Sequence, residues 1–393
     1  MNHDPVVILA ARRTPVGAFQ GVFANVTAPQ LGSVAIKAAL ADSGVAASEI
    51  DEVILGCVLS AGIGQAPARQ AALGAGIPPS TPTTTVNKMC GSAMRAVMLA
   101  ADQILAGSAN VVVAGGIESM TNAPYLLPKA RAGYRMGNQE VLDHMFYDGL
   151  QSPWDGQLMG CFAEATSAKY DFSRKAQDDF AAESVRRAVA ASNGGAFAAE
   201  IAPVTAKSRK GEVVVDKDET PFTLDIAKIP TLKPAFKKDG TVTAASSSGI
   251  SDGAAAMVLA RESFAASHDR KPLARILGYS SFAREPEWFT LAPIGAIQKL
   301  LKQLNWQAKD VDLYEINEAF AAVPMAAIKD LGLDPAHVNV NGGACALGHP
   351  IGATGARIMT TLLYSLRARG KNRGIASLCI GGGEATAIAS ELM

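Results

Sequence analysis

The feature that most limits how this chain can fold is that it runs through one order of parts twice. In the first pass, Val86-Asn87 leads to Cys90, a helical pattern, then the strand and double-glycine turn Val112-Val113-Ala114-Gly115-Gly116-Ile117-Glu118. In the second, Val340-Asn341 leads to a glycine-rich loop, a helical pattern, then Leu378-Cys379-Ile380-Gly381-Gly382-Gly383-Glu384. Strand, loop, helix, strand and turn, repeated in that order, point to a duplicated α/β unit. Between the copies, 121–248 shifts in composition and holds three stretches that read as irregular, 121–138, 149–160 and 206–240. It is expected to be an insertion on one half, and long insertions in compact domains are usually functional.

Short runs of Val, Ile and Leu alternate with helical patterns, which predicts parallel sheets with helices on both faces. The candidate strands are 6–11, 53–56, 111–114, 256–259, 273–277 and 375–379. Over 93–105, Met94, Val97, Met98, Ala101, Ile104 and Leu105 recur at helical spacing and Gly107 ends the run. Ile358, Leu362, Leu363 and Leu366 do the same over 354–368, before Gly370. A polar amphipathic helix is predicted over 173–192, from Ser173 to the breaker Asn193-Gly194-Gly195.

With 36 basic and 36 acidic residues in 393, the formal charge is zero, so no basic field exists to hold nucleic acid. Hydrophobic residues make up 49% of the chain and charged ones 18%, which excludes a disordered chain. No apolar run reaches the ~18 residues that span a bilayer, so no membrane partner is expected. Met1-Asn2-His3-Asp4-Pro5 runs straight into Val6-Val7-Ile8-Leu9, without the features of a secretory leader. The five scattered cysteines form no Cys-x-x-Cys pair, so free thiols in the cytoplasm are expected.

Four places can carry chemistry. Cys90 stands between a β-branched stretch and a helix start, where free N–H groups and the dipole lower a thiol's pKa and can hold an oxyanion. Gly91 is expected to permit the sharp turn after it. The same residue also reads as a small cysteine packed where helix meets sheet. His349 lies in Gly348-His349-Pro350, and the proline keeps it extended, projecting from a glycine-rich loop as a candidate general base. That loop lacks the Gly-Lys-Ser/Thr ending and the glycine spacing of nucleotide-phosphate loops. Cys379 ends an apolar strand, and the bare N–H groups of Gly381-Gly382-Gly383 can line an oxyanion hole; a core cysteine before a flexible turn is the lesser alternative. Asn317, in Glu315-Ile316-Asn317-Glu318, can hold a water, polarise a carbonyl or cap a helix.

Together these segments resemble the thiolase family over essentially the whole chain, specifically its tetrameric acetyl-CoA acetyltransferase type. The motifs are Val86-Asn87-Lys88-Met89-Cys90-Gly91-Ser92, Gly115-Gly116-Ile117-Glu118-Ser119-Met120, Asn317-Glu318-Ala319-Phe320, Gly348-His349-Pro350-Ile351-Gly352-Ala353-Thr354-Gly355 and Cys379-Ile380-Gly381-Gly382-Gly383, in family order. The resemblance implies an α/β fold of duplicated αβαβα layered halves with an inserted loop domain. The halves would be 1–120 plus 249–270, carrying the nucleophile, and 271–393, carrying the histidine and second cysteine. The insertion, 121–248, would serve CoA binding and tetramer formation.

It further implies that Cys90 takes the acyl group from acyl-CoA and that His349 activates it. Cys379 would remove a proton from the α-carbon of an incoming acetyl-CoA. One oxyanion site would use His349 with a water held by Asn317, and the other the N–H groups of Cys90 and Gly381. Two acetyl-CoA would give acetoacetyl-CoA and CoA, reversibly, with CoA as substrate and product and no cofactor or metal. Ser248 matches the serine at the pantetheine arm. Leu150, Met159, Phe236, Ala319 and Phe320 match substrate-site residues. The segment 121–145, with Arg131 and Arg135, resembles the loop that builds a homotetramer as a dimer of dimers.

The chain departs from the family pattern in places. Leu158 stands where many relatives have histidine, and Thr220-Pro221-Phe222 follows Asp218-Glu219 where arginine is usual. Ser246-Ser247-Ser248-Gly249 replaces Asn-Ala-Ser-Gly, Glu384-Ala385 follows the triple glycine, and Cys345 replaces an apolar residue. A degradative thiolase of broader chain length keeps every motif named. A non-catalytic carrier of this fold would be expected to lose Cys90, His349 or Cys379, and a ketosynthase typically has histidine where Cys379 stands.

Overall fold

The computed structural model describes residues 4–208 and 211–393. Met1-Asn2-His3 of the N-terminal reading, and Arg209-Lys210 within 206–240, lie outside them. The principal strands are β1 (Val6–Arg13), β2 (Glu52–Gly56), β3 (Thr83–Val86), β4 (Val111–Ser119), β5 (Ser251–Arg261), β6 (Ala274–Ala283), β7 (Leu313–Ile316), β8 (Arg373–Ile380) and β9 (Glu384–Leu392). The helices that matter for the site are α1 (Ala28–Ser43), α2 (Pro67–Gly74), α3 (Ser92–Ala106), α4 (Met159–Tyr170), α5 (Arg174–Asn193), α6 (Ala292–Leu304), α7 (Ala322–Leu331) and α8 (Thr354–Ala368).

The strands follow the order β7-β8-β9-β6-β1-β5-β4-β2-β3. Alternate side chains divide each strand between two cores. Val113 and Val53 pack under α1 and α2 with Leu31 and Ile36. Val112, Ile54 and Met257 point the other way, onto Met94 and Val97 of α3 and Ile358 and Leu362 of α8. That same central layer meets Ala376, Leu378 and Ile388 of the second half. Ile375 and Ala387 face outward to Ile297 and Leu300 of α6 and Val323 of α7. Five layers result, αβαβα, with α3 and α8 enclosed between two sheet halves. The halves meet where β1 pairs β6 at Val7–Arg275 and Ile8–Ala274.

Four sequence expectations are corrected. The sheet is mixed rather than parallel: β2 pairs β3 and β4 in parallel, as β7 does β8, but β5 runs antiparallel to β1 and β4. A strand that re-enters after the insertion, and a hairpin closed by Gly381–Gly383, set those directions, and no local pattern records them. Gly115 and Gly116 lie inside β4 and make no turn. A Cβ at Gly116 would sit 2.1 Å from the Gly352 oxygen, and one at Gly115 2.0 Å from the Ala255 oxygen, so close backbone approach explains both. The second repeat also lacks a full counterpart of β3, keeping a single bridge between Tyr314 and Val338. The segment 206–240, read as irregular, opens with a hairpin of Val204–Ser208 and Gly211–Val215.

The insertion is pinned to the sheet by Arg13, at the end of β1 and fully buried. Its Nε donates to Glu200 Oε1 at 2.6 Å, and Nη1 and Nη2 donate to the two oxygens of Asp218 at 2.7 and 3.0 Å. Removing one partner of a buried pair leaves the others' charges unpaired, which typically costs about 3–5 kcal/mol. Arg13→Met is therefore expected to lower unfolding stability by roughly that amount. Urea unfolding measures it, and a midpoint equal to that of the unmodified chain would contradict the anchoring role.

Candidate active site

The turn that carries Cys90 is built by short-range bonds. Asn87 Oδ1 accepts from Met89 N–H at 2.9 Å, and Ser92 Oγ accepts from Lys88 N–H at 2.8 Å while donating to the Met89 carbonyl at 2.6 Å. Met89 is held at φ +48°, the left-handed region that non-glycine residues rarely occupy. Strain thus falls on the residue before Cys90, whereas Gly91 has an ordinary φ of −83°. Gly91 is required for space instead, since a Cβ there would lie 2.3 Å from Ile380 Cδ1.

Cys90 opens on an apolar cavity of about 360 Å³. His349, Gly381, Ser248, Leu150, Met159, Phe236, Ala319 and Phe320 line the same cavity, so residues singled out from distant segments share one wall. Leu158, Met120, Phe289 and Ile351 are also in the lining; Met120 and Ile351 lie in the quoted motifs without a role assigned there, and Phe289 was not singled out from the sequence. Phe320 packs edge-on against Phe236 at 5.9 Å and Phe289 at 6.4 Å. A groove of about 410 Å³ beside α5 and α7, lined by Phe172, Arg187 and Met325, contains none of the proposed catalytic residues.

Cys379 and Asn317 stand behind this wall, both buried. Burial pushes the Cys379 thiol well above its usual range, and the neighbouring Cys90 adds to that. Asn317 follows β7, and its Nδ2 lies 3.5 Å from His349 Nε2. Its buried Oδ1 has no hydrogen-bond partner among the described residues. The helix-cap alternative does not apply, because α7 begins at Ala322 with Ala321 in the cap position.

His349 is buried, and its tautomer follows from the hydrogen-bond network. Thr354 Oγ1 donates to the Pro350 carbonyl at 2.9 Å, so at 2.6 Å it must accept from His349 Nδ1–H. Nε2 is left with its lone pair toward Asn317 and the cavity. Thr354 is the orienting residue that sequence reasoning passed over, though it lies in the quoted motif. Glu118 is another. Its carboxylate accepts from Val58 and Leu59 N–H at 3.1 Å and from Gly352 N–H at 2.8 Å, tying the histidine loop to β4. Burial raises Glu118 to about 7. An acid inside an otherwise apolar strand was the available signal.

Electrostatics correct the expectation of a lowered thiol pKa. Burial pushes Cys90 up to about 11, and the N–H groups of Gly381 and of Cys90 itself only partly oppose it. Burial, with help from the Arg357 charge, pushes His349 down to about 3. Both groups rest neutral, and two N–H donors already face the sulfur.

Family models for "Thiolase, N-terminal domain" and "Thiolase, C-terminal domain" match residues 6–263 and 270–391. The acetyl-CoA acetyltransferase of Chromobacterium violaceum is 49% identical over 388 residues, covering 98% of this chain and 99% of its own. The crystal structure of the Bacillus anthracis acetyl-CoA acetyltransferase superposes with a TM-score of 0.97 at 43% identity, covering 100% of this chain and 99% of that one. A thiolase from Ascaris suum, solved in complex with coenzyme A, superposes at 0.94 with 43% identity, covering 99% of this chain and all of its own. The layered fold and the two matched domains define a thiolase-type scaffold. The chain belongs to the thiolase family.

A neutral resting thiol has a kinetic signature. Alkylation of Cys90 by iodoacetamide is expected to accelerate continuously as pH rises from 7 to 10, because the thiolate fraction grows toward a pKa of about 11. No step is expected between pH 5 and 7, because His349 remains neutral down to about 3. Rates at the Cys90 peptide measure this, and a plateau reached below pH 7 would reveal a resting thiolate instead.

Proposed function

We propose that this chain is an acetyl-CoA C-acetyltransferase that condenses two acetyl-CoA to acetoacetyl-CoA and CoA, reversibly, through an acyl-Cys90 intermediate. The observation that carries this is the meeting of Cys90, His349 Nε2 and the Gly381 N–H at one apolar cavity. The relatives named acetyl-CoA acetyltransferase support the acetyl preference.

In the first half, His349 Nε2 takes the Cys90 proton as the sulfur attacks the thioester carbon, and the developing oxyanion faces the N–H groups of Cys90 and Gly381. The C–S bond to CoA breaks, and the departing CoA thiolate takes the Cys379 proton. That leaves Cys379 as a thiolate beside protonated His349. In the second half Cys379 removes an α-proton from a new acetyl-CoA. Its enolate oxygen is held by His349 Nε2–H and by a water that the unpartnered Asn317 Oδ1 positions. The α-carbon attacks acetyl-Cys90, the Cys90 sulfur leaves, and His349 returns its proton. Both cysteines end as thiols, so protons balance over the cycle.

In this reading Ser248 meets the pantetheine arm, and Leu150, Met159, Phe236, Ala319 and Phe320 shape the acyl chamber. The parts 1–120 with 249–270, 121–248 and 271–393 act as nucleophile half, insertion and base half. A homotetramer, a dimer of dimers, is supported by the exposed apolar residues Tyr125, Leu127, Tyr134, Met136 and Val141 on the 121–145 segment. Cytoplasm is the compartment assigned, on the strength of five free thiols. Among the described residues no helix is long and apolar enough to cross a membrane.

The mechanism separates the two thiols. Cys379→Ala is expected to retain acyl-enzyme formation, because a CoA thiolate can leave and take its proton from water instead, while losing condensation by at least ~100-fold, the range of a lost proton-transfer group. Single-turnover CoA release and acetoacetyl-CoA production measure the two halves. Normal condensation by that variant would overturn the two-cysteine scheme.

A further inference from the structure

We propose that Lys88 and Glu384 form a strap that holds the nucleophile turn and the triple-glycine turn in register, making both positioning residues for acyl transfer. The Lys88 Nζ–Glu384 Oε2 ion pair spans 296 positions of sequence, and the side chains are 24% and 37% exposed. Neither lines the cavity. Lys88 belongs to the turn that presents Cys90, accepting Gly91 N–H at its carbonyl at 3.0 Å and donating its own N–H to Ser92. Glu384 opens β9 and pairs with Ile380 across the glycine turn.

Two observations say why these turns need a tie. They touch directly, since a Cβ at Gly91 would collide with Ile380. The glycine turn is also intrinsically loose, with Gly382 and Gly383 at φ +95° and +93° and no side chain between Ile380 and Glu384. The two N–H donors that face the Cys90 sulfur belong one to each turn, Cys90 and Gly381. Their spacing depends on how the turns sit against each other. A half-exposed ion pair contributes little to stability, ~0–1 kcal/mol, so its effect falls on geometry. Displacements of ~1 Å at a reacting centre cost up to ~100-fold in rate.

The inference rests on the proposed roles of Cys90 and Gly381, and the experiment keeps the two apart. The rate of CoA release on mixing with acetyl-CoA is measured for the unmodified chain, Lys88→Met, Glu384→Gln, the double variant and the swapped pair K88E/E384K, together with melting curves and KM. If the unmodified chain forms no acyl-Cys90, the functional reading fails. If it does, each single variant is expected to acylate roughly 10- to 100-fold more slowly with KM and melting temperature nearly unchanged. The double variant is expected to be no slower than the worse single one, and the swapped pair to recover rate. Single variants at full rate, or losses that multiply in the double variant, overturn the strap. Should a single variant fail to fold, the swapped pair decides: recovered acylation supports the strap, and a natively folded swapped chain with no recovery overturns it.

Discussion

The apolar setting of Cys90 and His349, the first partly exposed at the cavity and the second buried, is the constraint on which the site depends. It keeps a thiol at about 11 and an imidazole at about 3, so neither charge exists at rest. Ionisation has to arise with the attack itself, as a thioester enters and its oxygen meets the N–H donors. The same dryness strengthens each of those dipoles, because little solvent competes for them. A resting thiolate would react with any electrophile that reached it. A thiol awaiting its base reacts with the substrate that fits the cavity.

The layered fold supplies this dryness and the geometry together. The central helices α3 and α8 both begin at the cavity, one just after Cys90 and the other just after His349. Duplication thus delivers Cys90, the proposed nucleophile, from one copy and His349, the proposed base, from the other, each shortly before a central helix. Glycines let the two loops approach: Gly116 admits the Gly352 backbone, and Glu118 on the same strand bonds the Gly352 N–H. Arg13 and its two carboxylates hold the insertion against the sheet, and the insertion contributes Met159, Phe236 and Ser248 to the cavity wall.

Much of this was legible in the sequence. The apolar periodicity of Met94 to Ile104 and of Ile358 to Leu366 gave the central helices, because enclosure on both sides leaves a regular stripe. The motifs around Cys90 and His349 pointed to side chains that the fold brings to one cavity, because loop residues with reactive groups among glycines have few structural uses. Strand direction was not legible, since β5 and β9 owe theirs to long-range return of the chain. The φ +48° at Met89 was hidden because nothing in a methionine announces strain. Glu118 was visible as a letter but not as a partner, since a hydrogen bond across 234 positions, from Gly352, leaves no local trace, whereas Thr354 stands only five residues from His349 and its bond shows only once the loop is folded. The thiol pKa ran opposite to the local reading, because the helix N-terminus is a short-range feature and desolvation belongs to the whole fold.

The central claim is that the Cys90 sulfur carries the acyl group between the two halves of the reaction. Acid quenching after mixing with acetyl-CoA, followed by proteolysis and peptide mass spectrometry, tests it most directly. The account predicts one acetyl group, located on the peptide at Cys90 and discharged when CoA is added in excess. Acetoacetyl-CoA formation with no acetyl group on Cys90 at any quench time, or with the label on another cysteine, would contradict it.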